Sequence, residues 1–86
     1  MMADKQTVLR LLKTARGQLD GIIKMVEDDR YCMDISQQVL AADAMLRRVN
    51  KEILSAHLKH CVEHAATDQE RSDKIDELVN ALGKML

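Results

Sequence analysis

Proline, tryptophan and phenylalanine are absent from this 86-residue chain, which holds one tyrosine, three glycines and two cysteines. Its apolar content comes instead from Leu, Ile, Val, Ala and six Met, a composition that suits helices and disfavours sheets. No segment approaches the ~20 apolar residues of a membrane span, and the leading MMADKQ has no apolar core for secretion. The expected compartment is the cytoplasm, where two cysteines read as reduced ligands or a reactive pair, not as a structural staple. Internal repeats, low-complexity stretches and a glycine-rich phosphate cradle are also missing. So are helix-turn-helix, zinc-finger and basic-zipper signatures. A Cys beside a His can pair as nucleophile and base, but no third orienting group stands at a clear spacing, so no enzyme is expected.

What is present reads as one domain over residues 1–86, all-α, with three helices. From about Asp4 to Glu27, apolar side chains at Val8, Leu12, Ala15, Leu19, Ile22, Ile23 and Val26 recur at helical spacing. Gly17 and Gly21 lie inside this segment, where glycine costs roughly 1 kcal/mol against alanine, and are expected to admit a second helix closely. The polar run Glu27-Asp28-Asp29-Arg30 breaks the pattern, and Asp29 reads as the N-cap of the next helix. That helix is expected from about Tyr31 to His64, with Ile35, Val39, Ala42, Leu46, Val49, Ile53 and Ala56 in a seven-residue repeat. A rod of ~50 Å, at about 1.5 Å per residue, cannot be covered by so short a chain and calls for a partner helix of equal length. Thr67 and Glu70 form a capping box that opens a third helix carrying Ile75, Leu78, Val79 and Leu82, with Gly83 as its expected stop.

Three residues of the central helix carry the chemistry. His57 and Cys61 are four apart and share a face. Cys32 stands 25 residues before His57, close to seven whole turns, so it faces the same way but lies roughly 37 Å along the axis. No ion reaches both ends of one rod. Antiparallel pairing with a second copy would bring Cys32 of one chain beside His57 and Cys61 of the other, giving two identical half-sheltered sites per dimer. Two thiolates and one imidazole suit trigonal Cu(I), whereas structural zinc takes four ligands. His60 and His64 read as surface residues, but either could add a fourth nitrogen, which leaves Zn²⁺ and Ni²⁺ open.

A formal charge of −1 conceals segregation. Lys5, Arg10, Lys13, Arg16 and Lys24 project opposite the apolar face of the first helix, and Arg47, Arg48 and Lys51 cluster midway along the second. Glu63, Asp68, Glu70, Asp73, Asp76 and Glu77 fill the last third. Such a basic face fits DNA phosphates; a solvated helix surface is the alternative.

With these residues in view, the chain resembles the copper-sensitive operon repressor (CsoR) family of bacterial metal- and sulfur-responsive repressors over nearly its whole length. The resemblance rests on Arg16-Gly17-Gln18-Leu19-Asp20-Gly21-Ile22, on Met25…Asp29-Arg30-Tyr31-Cys32-Met33-Asp34, and on His57-Leu58-x-x-Cys61. It implies a three-helix protomer, an antiparallel dimer with a four-helix-bundle core, and assembly of two dimers into a homotetramer. It also implies a repressor that binds operator double-stranded DNA without metal and is released when Cu(I) binds Cys32, His57 and Cys61. Tyr31 and Glu77 match outer positions that link His57 to the allosteric change. Arg16 and Arg48 match basic positions associated with operator binding. One departure is Leu11, where the family usually has Arg before the Leu-Lys-Thr stretch; Arg10 stands one place earlier, about 100° away around a helix. The rival within the family is a persulfide sensor in which sulfur bridges Cys32 to Cys61 of another subunit, and a formaldehyde sensor is a weaker one.

Overall fold

The computed structural model describes residues 1–85 and consists of three helices, α1 (Lys5–Glu27), α2 (Cys32–His64) and α3 (Asp68–Met85). α1 packs on α2 and α3 packs on α2, while α1 and α3 do not touch. The long central helix is therefore the middle of a single layer. The molecule measures 57 × 26 × 12 Å, one helix diameter thick. Its radius of gyration is 17.2 Å, against about 12 Å for a compact chain of this length.

Each helix end has a local cause. Asp4 caps α1, its carboxylate accepting from the Thr7 amide at 3.0 Å and the Thr7 hydroxyl at 2.6 Å. The hydroxyl and then the amide hold the Asp4 carboxyl below its ordinary value of 3.8. A depressed folded-state pKa gives a contribution that is present above the unfolded value and lost as pH falls. The first turn of α1 should thus fray below about pH 4, seen as faster exchange of the Thr7 amide, and Asp4→Asn should remove that pH dependence.

The junction after α1 corrects the expectation for Asp29. It does not cap α2. It adopts φ 52°, the left-handed position that closes a helix C-terminus. Its amide donates to the Val26 carbonyl at 3.1 Å, and the Arg30 amide donates to the Met25 carbonyl at 3.0 Å, the hydrogen-bond pair of a Schellman motif. Aspartate tolerates this region better than most residues, which is why no glycine is needed. The N-cap of α2 is Tyr31, with no side-chain cap bond, so α2 starts at Cys32, one residue later than expected.

At α3 the capping box holds in modified form. The Glu70 amide donates to Thr67 Oγ1 at 3.0 Å, and the Glu70 carboxylate accepts from the Ala66 amide at 3.1 Å, one residue before the cap. Gly83 does not end α3, which continues to Met85.

The core is small. Ala3, Val8, Leu11 and Val49 are buried together, flanked by Met45, Ile53 and Ala56. Leu11, read as a departure from a basic position, is the anchor of α1 at 2 % exposure. Leu12, Leu19, Ile23 and Val26, expected on the packed face, are exposed, as are Val39 and Leu46 of the α2 repeat. Nothing lies within 4 Å of a methyl placed on Gly17 or Gly21, so no helix of this chain exploits them. The chain exposes 6563 Å², about 1,400 Å² more than the roughly 5,200 Å² typical of a folded monomer of its mass. No described helix is long and apolar enough to cross a membrane.

Candidate metal centre and nucleic-acid interface

His57 and Cys61 occupy the last turns of α2. Their four-residue spacing sets His57 Nε2 3.5 Å from Cys61 Sγ. Two donors bound to one closed-shell ion at about 2.0 Å (nitrogen) and 2.3 Å (sulfur) stand roughly 3.5–3.8 Å apart, so this pair already has ligand spacing. Both cysteines are free thiols, Cys61 half-buried and Cys32 exposed. His57 is exposed too, so the half-sheltered setting expected for all three residues belongs to Cys61 alone in the single chain.

Cys32 is the first residue of α2. Because α2 is one unbroken helix, Cys32 stays roughly 37 Å from His57 along the axis. Among the described residues no three His, Cys, Asp or Glu side chains gather where they could hold one ion. One chain therefore presents two separate part-sites, a His/Cys pair at one end and a lone thiol at the other.

The two outer residues also lie apart. Tyr31 is 66 % exposed beside Cys32. Glu77 lies on α3, lines a groove with Asn50 and Leu54 of α2, and pairs with Lys74 at 3.7 Å. That groove lies about one turn before His57 on α2, so Glu77 is near the His57 end and Tyr31 is at the opposite one. His60 is half-buried rather than a surface residue, and His64 is exposed. Their rings stack with centroids 4.2 Å apart, a pairing that their i,i+4 spacing hinted at but that sequence reasoning did not use.

Arg10, Lys13 and Arg16 are exposed on the side of α1 away from α2. Arg10 and Lys13 line a shallow groove with Leu9, and Lys13 and Arg16 line a second beside it. Arg47 is held by Asp43 at 3.0 Å within α2. Among the described residues Arg10, Lys13, Arg16 and Arg48 make no ion pair. Four cations are thus available to phosphate, and one is already partly neutralised.

A single-layer helical chain with a split thiol–imidazole centre and an unpaired basic face has the build of a ligand-responsive DNA-binding protein. The family model described as metal-sensitive transcriptional repressor matches residues 4–84, and the chain belongs to this family, whose members are repressors and not enzymes. It is 45% identical over 78 residues to the copper-sensing transcriptional repressor CsoR of Mycobacterium ulcerans, covering 91% of this chain and 67% of that one. It is 37% identical over 81 residues to the copper-sensing repressor CsoR of Bacillus subtilis, covering 94% and 80%. Among solved structures, the nickel-responsive transcriptional regulator InrS superposes with a TM-score of 0.81 at 29% identity, covering 100% of this chain and 97% of that one. The copper-sensing repressor CsoR with Cu(I) from Geobacillus thermodenitrificans gives 0.78 at 37% identity, covering 92% and 82%. One backbone thus serves relatives named for different metals, and the donor set, not the fold, must decide which applies.

Proposed function

We propose that this protein is a Cu(I)-responsive repressor that holds operator DNA in the absence of copper and releases it when copper binds between subunits. The observation that carries this reading is the 3.5 Å His57–Cys61 pair at one end of an unbroken helix whose other end is Cys32. Antiparallel docking of two α2 helices brings Cys32 of one copy to His57 and Cys61 of the other. Two sulfurs and one nitrogen form a soft, three-donor set that suits Cu(I) better than a divalent ion. Copper bound there would tie two subunits together by ligation, which neither chain does alone. The copper-sensing relatives at 37–45% identity support the same choice.

The surplus exposed surface of about 1,400 Å² per chain exceeds the ~800 Å² per partner of a standard interface. It supports a four-helix dimer core built from the uncovered apolar sides of α1 and α2, and further pairing into a tetramer. Repression requires the two assembly shapes to differ in DNA affinity. A ligand that binds both equally shifts nothing, and couplings of this kind are on the order of 1–3 kcal/mol. Tyr31 beside Cys32, and Glu77 near the His57 end, meet across such a dimer and are the residues assigned to carry the change outward.

Reduced protein titrated with Cu(I) against a strong chelator, while release of labelled operator duplex is followed, tests the reading. Tight copper binding without DNA release would refute it. His57→Ala should abolish copper-driven release; a persulfide response, which needs only the two thiols, would survive that substitution and single out the sulfur-sensing alternative. For the DNA face, Arg16→Ala should weaken binding to all duplexes alike and reduce the slope of log affinity against log salt by about 1. Fluorescence anisotropy across a salt series reads both effects.

A further inference from the structure

We propose that the Cys32 end of the α1–α2 hairpin is a jaw that opens independently of the rest of the fold, with Gln18 as the residue that keeps it loose. Closure of this jaw then delivers Cys32 to a second subunit. That use of the jaw rests on the copper reading; the opening itself does not.

The packing of the hairpin is one-sided. Spacings of three and four place Val8, Leu11, Ala15, Gln18, Ile22 and Met25 along the side of α1 that faces α2. The first three are buried and the last three only half-buried. α2 shows the same division: Ala42 and Val49 are buried, but no residue from Cys32 to Ala41 is. The cluster of Ala3, Val8, Leu11 and Val49, flanked by Met45, Ile53 and Ala56, therefore lies wholly toward the His57 end. Gln18 stands where the packing gives out. It is the one polar member of its row, and its Oε1 is buried without a hydrogen-bond partner among the described residues. A buried acceptor left unpaired carries a desolvation cost that an apolar side chain in its place would not. Opening the seam returns that oxygen to water. At about 100° per residue, Leu12, Leu19, Ile23 and Val26 fall on the other side of the buried stripe from Gln18, so a second copy docked on that flank brings it no donor.

The backbone is weak at the same end. Gly17 and Gly21 bracket Gln18, with nothing within 4 Å of a methyl placed on either, and glycine weakens a helix interior. Asp29 holds its left-handed φ of 52°, and Tyr31 gives the start of α2 no side-chain cap. Few buried contacts and poorly secured helix ends mark a segment that opens locally while the rest stays closed. Cys32, the first residue of α2, rides on this segment. Ligation of Cys32 to a second subunit would favour the closed jaw, and a ligand shifts such an equilibrium only through that preference.

Hydrogen exchange followed by mass spectrometry on the metal-free, full-length protein tests the opening. Amides of Ile22–Met25 in α1 and Ser36–Val39 in α2 should exchange about tenfold faster than those of Val8–Leu12 and Arg48–Ile53. Gln18→Met, which keeps the side chain's length and removes its carboxamide, should slow the jaw amides about fivefold and leave the other set unchanged. Gln18→Leu is the second variant and should act in the same direction. Saturating Cu(I) should slow the jaw amides of the unaltered protein by about tenfold or more. The proposal is overturned if the two sets of amides exchange alike, if both Gln18 variants leave the jaw unchanged, or if bound Cu(I) protects neither stretch. Copper that protects the jaw without releasing operator DNA would instead refute the copper reading and leave the jaw standing.

Discussion

Neither a Cys32→Ala protein nor a His57→Ala/Cys61→Ala protein should release operator DNA on addition of Cu(I), yet a one-to-one mixture refolded together, in which random pairing makes about half of the dimers mixed, should recover about a quarter of the wild-type copper capacity. In a mixed dimer, one interface combines an intact Cys32 with an intact His57 and Cys61, and the other combines the mutated ends. One good site and one empty site result. The expectation follows from α2 being a single continuous helix from Cys32 to His64, which separates the donors by roughly 37 Å within a chain. Loss in each parent should exceed about 100-fold in Cu(I) affinity, because Cys32→Ala leaves two of the three donors and His57→Ala/Cys61→Ala leaves only one. Competition against a chelator of known affinity, with subunit exchange verified by mass spectrometry, measures the recovery. Absence of recovery in verified mixed dimers would show that the sites are not shared between chains.

Leu11→Ala should be the most damaging single core truncation. At 2 % exposure Leu11 sits among Ala3, Val8 and Val49, and buried Leu→Ala changes cost about 2–5 kcal/mol. A domain of this size commands roughly 4–13 kcal/mol in total, so the variant loses a large share of its margin. Leu12→Ala, one position away but exposed in the single chain, should cost little in the folding of one protomer. It should instead weaken association, visible as a steeper dependence of melting temperature on protein concentration. Thermal melts of both variants over a hundredfold concentration range separate the two roles.

That contrast explains what the amino-acid pattern could and could not convey. Three helices, their approximate ends, the Thr67–Glu70 cap and the His57–Cys61 pairing were all legible, because each depends on spacings of three or four residues. The division of the α1 apolar stripe was not. Val8, Leu11 and Ala15 face α2, whereas Leu12, Leu19, Ile23 and Val26 lie bare on the adjoining flank. A stripe that serves two neighbours looks like one broad face in projection, and nothing local says where the first neighbour ends. Asp29 hid for a different reason: a left-handed C-terminal position normally advertises itself with glycine or asparagine, and an aspartate before a helix looks more like a cap. The His60–His64 pairing was visible as a spacing, but the stacking of the two rings depends on their side-chain conformations, which no sequence displays.

A plate only 12 Å thick has two broad faces and almost no interior, which makes supply a control variable in its own right. When two plates must meet before either acquires a full core, halving the free chain cuts the paired form about fourfold. The amount of protein a cell makes would then set both how much of it survives proteolysis and how firmly its genes are shut.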